Sequence, residues 1–125
     1  WGGDPTRMRR GAPDAVRANL LEIHGIGSET ADAILLYVAK RATFVADRYA
    51  IRLFERLGWV LPGTSYDGLR EAALSAWPVD AKAHGELHAL IVRHGKERCG
   101  PKPSCSGCPL FAICAHPTAG QGDSE

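Results

Sequence analysis

Between Leu21 and Asp47 the chain reads LEIHGIGSETADAILLYVAKRATFVAD, and this stretch restricts the fold more than any other. Leu20, Leu21 and Ile23 give a first helix an apolar edge. Gly25 and Gly27 interrupt it, because glycine admits positive φ and lets a backbone or a phosphate come close. A second helix restarts at once, with Ser28 as its expected N-cap. Glu29 and Asp32 fall in its first turns, where acids suit the helix dipole. Ala31, Ile34, Leu35 and Val38 recur at i, i+3, i+4 and i+7, which is one helical face. The pattern is helix, glycine hairpin, helix.

Such a hairpin has two readings. It can be a plain helix pair that turns on glycine. Alternatively, the N–H groups at a glycine turn and a helix start form a small positive concavity. A phosphate held there gives a grip on nucleic acid that does not depend on base sequence.

The rest of the chain supports a helical domain. Residues 1–13 read as loop, punctuated by Gly2, Gly3, Pro5, Gly11 and Pro13, although a short helix could form over Arg7–Arg10. Pro13 suits the first position of the helix that carries Val16, Leu20 and Leu21 and runs to Ile23. After the hairpin, Phe44-Val45-Ala46 is apolar and is expected to be buried. Asp47 then opens a helix whose buried face is Ile51, Phe54 and Leu57, with Ala50 and Leu53 adjoining, and Gly58 ends it. Ser65 is expected to cap a helix holding Leu69, Ala72, Ala73 and Leu74, which Trp77-Pro78 terminates. Asp80 starts a long helix with Ala83, Leu87, Leu90, Ile91 and His94 near one face. His84 and His88 are four apart but have no third ligand, so they read as surface histidines rather than as a metal pair.

Asp47 also carries two readings. As an N-cap it accepts N–H bonds from the helix start, which favours the ionised carboxylate. A fixed carboxylate can equally stabilise positive charge that builds on a sugar when a glycosidic bond breaks.

All four cysteines lie within 99–114, spaced C-GPKPS-C-SG-C-PLFAI-C. Concentration of this kind argues for thiolates converging on a metal centre rather than for a disulfide framework. Zinc favours paired CxxC-like knuckles, and only Cys105-Ser106-Gly107-Cys108 is one. A [4Fe–4S] cluster accepts wider wrapping by four cysteines. Spacing alone leaves both open. Lys102, at the tip of the first gap, could reach a DNA phosphate, with Arg98 and Lys96 adding to the contact.

With 125 residues, 45% hydrophobic and 23% charged, the composition is that of one ordinary globular domain. No apolar run approaches a membrane span, and no signal peptide opens the chain, so the expected setting is the cytoplasm or nucleoid. Formal charge is only +1. Arg7, Arg9 and Arg10 cluster early, and Arg93, Lys96, Arg98 and Lys102 cluster late, with Glu97 the only acid among the late group. Each cluster is either a binding patch or a solvated face.

His24-Gly25-Ile26-Gly27, Thr30-Ala31-Asp32 and Asp47 together resemble the helix-hairpin-helix DNA glycosylases of the endonuclease III superfamily. The resemblance runs from about Arg17 through Leu57 and resumes at the cysteines. It implies an all-α fold, a partial helical barrel with a C-terminal [4Fe–4S] loop held by Cys99, Cys105, Cys108 and Cys114, with zinc as the alternative. It implies that His24, Gly25, Ile26, Gly27, Ser28 and Thr30 contact DNA, joined by Arg98 and Lys102, and that Asp47 is catalytic. Many members have C-x6-C-x2-C-x5-C, so the first gap here is one residue shorter. Members that also cut the strand carry a lysine two residues after the second hairpin glycine. Glu29 stands there instead and cannot form the Schiff base.

The resemblance therefore implies a monofunctional enzyme with water as nucleophile. GIGSETADAILLYV is nearest to the 3-methyladenine glycosylases of endonuclease III type. The implied partner is double-stranded DNA with a damaged base, bound by a monomer. The family has further helices before the hairpin, so the chain is expected to be a C-terminal portion. The organisation implied is a linker at 1–13, a helical domain at 14–98, the cluster loop at 99–114 and a disordered tail at 115–125. Two rivals remain: a non-catalytic hairpin DNA-binding module, and a glycosylase for oxidised pyrimidines or mismatched adenine.

Overall fold

A computed structural model describes residues 11–115. The expected short helix at Arg7–Arg10 and the tail beyond Ala115 lie outside the described residues. Among the described residues five α-helices run in order: α1 (Pro13–Leu21), α2 (Ser28–Ala33), α3 (Arg48–Leu57), α4 (Tyr66–Ala76) and α5 (Ala81–Glu97). A π-helical segment, Ile34–Val38, continues α2, and a 3-10 turn spans Phe111–Ile113. No strand occurs among the described residues, so the expected all-α class holds. No helix among them is long and apolar enough to cross a membrane. The chain divides into two compact units, one of Trp1–Val45 with Arg70–His88 and one of Ala46–Leu69 with Ala89–Glu125.

In the first unit Val16, Leu20, Ala31, Leu35 and Ala39 form a buried cluster, with Ile26 and Ile34 packed against it. Pro13 occupies the first helical position as expected. The helix stops at Leu21, short of Ile23: Ile23 N–H bonds Leu20 O at 3.1 Å, a tighter turn, and the Ile23 carbonyl accepts from Ile26 N–H at 3.1 Å in the hairpin. Leu21 and Ile23 are consequently exposed. Gly27, not Ser28, is the N-cap of α2, and Ser28 is its first helical residue.

The expected face of the second helix also shifts. Ala39 N–H bonds Ile34 O at 3.0 Å, an i→i+5 bond that widens the turn by about one residue. Ala39 becomes fully buried and Val38 is turned out to 44% exposure. A strict 3.6-residue period cannot anticipate that slip.

Asp32 is the largest departure. It was expected as a dipole-compensating acid near the helix start, yet it is completely buried. Arg17 donates to it from Nε at 2.9 Å and Nη2 at 3.2 Å. Thr43 Oγ1 donates at 2.8 Å and Arg70 Nε at 3.1 Å. One carboxylate thereby ties α1, α2, the segment before Asp47 and α4. His84, expected on the surface, is buried as well. Its ring sits 6.3 Å from that of Phe44, and its Nε2 is 3.0 Å from the Trp77 carbonyl oxygen. Asp80 caps α5 through Ala83 N–H at 2.9 Å.

In the second unit α3 buries Ala50, Leu53, Phe54 and Leu57, while Ile51 is only half-buried. Gly58 ends it at φ +81°, the left-handed conformation glycine tolerates. Trp59 then folds back to stack on Phe54 at 5.3 Å. The Ser65 hydroxyl accepts from Gly68 N–H at 3.0 Å, the expected cap of α4.

Candidate nucleic-acid and base-excision site

The hairpin belongs to the first unit. Gly25 adopts φ +90° and Gly27 is extended. A Cβ at either position would meet nothing within 4 Å, so both glycines face open space rather than protein. His24, Gly25, Gly27, Glu29 and Thr30 are exposed, and Ile26 and Ser28 are half-buried. Ile26 is also packed on the hydrophobic cluster, which anchors the turn while its tip stays accessible. This is the geometry a backbone-donor grip on a phosphate requires.

Asp47 belongs to the second unit, and it is the N-cap of α3. Its Oδ1 accepts from Ala50 N–H at 2.9 Å, and the residue is only 7% exposed. Phe44, Val45 and Ala46, the apolar run before it, are buried as expected. The carboxylate is therefore fixed by a cap and by the burial of its approach. Such a group can hold a partial positive charge without reorganising.

All four cysteines line one pocket, with Leu53, Leu57, Leu110 and Phe111 among its walls. Among the described residues no three His, Cys, Asp or Glu side chains converge closely enough to hold a metal ion. Arginines hold this loop in a way that sequence reasoning missed. Arg56 donates to the Gly100 and Pro101 carbonyls and lies 3.4 Å from Cys99 Sγ. Arg52 donates to Gly95 O and Cys99 O.

Arg98, expected on DNA, directs Nη1 into the loop, donating to Ser104 O and Ser106 O at 3.0 Å each. Lys102 is exposed. His94 Nε2 lies 3.9 Å from Cys108 Sγ. Burial, helped by the Arg98 charge, holds the His94 pKa below its ordinary value. The signal that could have exposed the arginines was their spacing. Arg52 and Arg56 are four apart on a helix whose other face is apolar, so they share a side.

No family model matches the chain. A Methanocaldococcus jannaschii protein named as a DNA repair glycosylase, MJ1434, is 44% identical over 99 residues, covering 79% of this chain and 45% of the relative. Endonuclease III of Buchnera aphidicola is 30% identical over 99 residues, covering 78% of this chain and 45% of the relative. A solved non-covalent endonuclease III–DNA complex superimposes with a TM-score of 0.74 at 20% identity, over 88% of this chain and 50% of that one. The chain spans about half the length of these curated relatives. An all-α chain that turns on a glycine hairpin and caps the following helix with a buried aspartate has the helix-hairpin-helix architecture of the structures it matches. By sequence the chain is similar to proteins of the endonuclease III superfamily over about half of their length.

Proposed function

We propose that the chain is part of a DNA repair glycosylase that removes a damaged, alkylated base from duplex DNA, with water as nucleophile and no strand cutting of its own. One observation carries the reading: in a chain similar to that superfamily, a buried, capped carboxylate follows the hairpin helix at Asp47, while an exposed carboxylate, Glu29, stands where an amine would be needed for lyase chemistry.

The damaged nucleotide leaves the base stack. The bond from the base nitrogen to C1′ breaks with its electron pair going to the base. Positive charge develops on the sugar beside the Asp47 carboxylate, which stabilises it. A water oxygen then bonds to C1′ and releases its proton to solvent. Gly25, Gly27 and Thr30 hold the backbone through main-chain donors, with His24, Ile26 and Ser28 beside them and Lys102 reaching a phosphate from the loop.

The cysteine pocket suits a [4Fe–4S] cluster better than a single zinc ion. Zinc favours paired CxxC-like knuckles, and the loop has only Cys105-Ser106-Gly107-Cys108, whereas a cluster accepts the wider wrapping of these four cysteines, and Arg56 stands 3.4 Å from Cys99 Sγ, where it offsets thiolate charge. Cys99, Cys105, Cys108 and Cys114 would hold the cluster, which would supply a cross-link for a short loop with little core of its own.

The test is base release from duplexes carrying alkylated adenine, oxidised pyrimidine or mismatched adenine, with and without alkali, using this chain and its longest parent. Asp47→Asn, which keeps the cap, is expected to abolish release and leave DNA binding nearly intact. Equal loss of both would return Asp47 to a purely structural role. The endonuclease name of its relatives favours a second reading, strand cutting through an amine. A covalent DNA adduct trapped by borohydride would establish that reading and overturn the use made of Glu29.

A further inference from the structure

Arg98 directly precedes the first cysteine, and it grips the loop with both its backbone and its side chain. Its carbonyl accepts from Ser104 N–H at 2.9 Å, which closes the segment 98–104. Its Nη1 donates to Ser104 O and to Ser106 O at 3.0 Å each. Those are the carbonyls immediately before and after Cys105. A guanidinium Nη carries two hydrogens, enough for both. Nη1 also lies 3.9 Å from where a Cβ on Gly107 would stand, so the side chain reaches the turn that Cys108 N–H closes on Cys105 O at 2.9 Å. Gly107 supplies that turn with φ +79°. Arg98 is half-buried and lines the same pocket as the four cysteines.

The loop has need of such a grip. Between Cys99 and Cys105 the chain is Gly-Pro-Lys-Pro-Ser, with no helix or strand across it. Its two prolines remove two N–H donors, so the segment has few local bonds with which to place one cysteine against the next. Arginines of α3 hold its first half, Arg52 on Cys99 O and Arg56 on Gly100 O and Pro101 O. Arg98 holds its second half and the turn that follows. Every one of these bonds joins two protein groups, so none needs a metal in order to form.

We propose that Arg98 is a positioning residue for the iron–sulfur cluster: by holding the carbonyls on either side of Cys105 it sets that cysteine against Cys99 and Cys108 before iron and sulfide bind. The inference rests on the [4Fe–4S] reading of the loop and deepens it. A loop that becomes ordered only on binding gives up its conformational freedom at that moment, and the affinity is lower by that cost. A loop braced beforehand has already lost this freedom. Arginine suits the task because its fork is planar and fixed, whereas a lysine ammonium is a point charge on a flexible stem. Charge alone therefore does not replace it.

The experiment uses the full chain purified without oxygen, with iron counted per chain and its loss followed after addition of excess ferrous chelator. Arg98→Ala is expected to release iron about tenfold faster, the low end of the affinity cost of removing a hydrogen-bonding partner behind a metal ligand. The visible circular dichroism of the cluster, which reports how the cysteines are arranged around it, is expected to change with it. Arg98→Lys keeps the charge and should release iron nearly as fast as Arg98→Ala; it decides the matter if the alanine variant does not fold. Arg93→Ala, on α5 but bridged to Glu97, is expected to match the wild type, and far-ultraviolet spectra should show intact helices throughout. Wild-type release and wild-type visible dichroism in Arg98→Ala overturn this role and leave the cluster reading standing. Full rescue by lysine, or equal acceleration in Arg93→Ala, overturns it too, because charge would then suffice. Absence of iron from the wild-type chain overturns the cluster reading and this inference with it.

Discussion

Asp32→Ala tests the most consequential bond network in the first unit. The carboxylate is completely buried and accepts hydrogen bonds from Arg17, Thr43 and Arg70. Removing one member of a buried ion pair costs about 3–5 kcal/mol, because the partner charge is left uncompensated. Here two guanidiniums are stranded, but their side chains keep 14% and 12% exposure and hence some hydration. The loss should fall at the lower end, about 3 kcal/mol. That is a large share of the roughly 5–15 kcal/mol that stabilises a domain, and it corresponds to a fall in Tm of roughly 10 °C.

Urea denaturation followed by far-ultraviolet circular dichroism measures this directly. A cycle with Arg70→Ala should give a double variant less damaged than the sum of the singles by about 1 kcal/mol or more. A solvent-facing acid in a helix's first turn contributes only about 0.3–1 kcal/mol. A measured loss below about 1 kcal/mol would therefore mean that Asp32 is merely such an acid and that the buried network does not hold the unit together.

Asp47→Ala should lower stability by about 1 kcal/mol through loss of the α3 cap, whereas Asp47→Asn should lie within a few tenths of the wild type in the same titration. Gly58→Ala should cost more than the 1–2 kcal/mol or so of a left-handed non-glycine residue, since its Cβ would also lie 2.7 Å from Ala115 Cβ; a urea midpoint equal to the wild type would contradict the placement of the segment after Cys114. Arg56→Gln removes the fork on Gly100 and Pro101 and should reduce iron bound per chain, measured colorimetrically after aerobic purification, while Arg93→Gln should not. Removal of the proposed cluster by chelation should lower the urea midpoint, because metal binding by such a loop is coupled to its folding.

The sequence by itself determined the helices, the hairpin and the grouping of the cysteines. Those features are local: glycine permits the φ of +90° at Gly25, aspartate caps α3 and α5, and the 3.6-residue period marks the buried side of α3. Only the tertiary structure decided which polar side chains serve the interior. Asp32 reads as a helix-start acid until Arg17, Thr43 and Arg70, brought from three other segments, surround it. His84 reads as a surface histidine until Phe44 and Trp77 close over it. The slip from Val38 to Ala39 follows from one widened turn, whose preference comes from packing and leaves no mark on spacing. Arg52, Arg56 and Arg98 carry no motif, yet their long side chains can reach carbonyls anywhere within several ångströms. The partners of Arg52 and Arg56 lie between Gly95 and Pro101, far along the chain from α3, whereas Arg98 reaches Ser104 and Ser106 within its own loop. Contacts of that kind depend on where the backbone places distant segments, and the order of amino acids specifies this through the whole fold and at no single position.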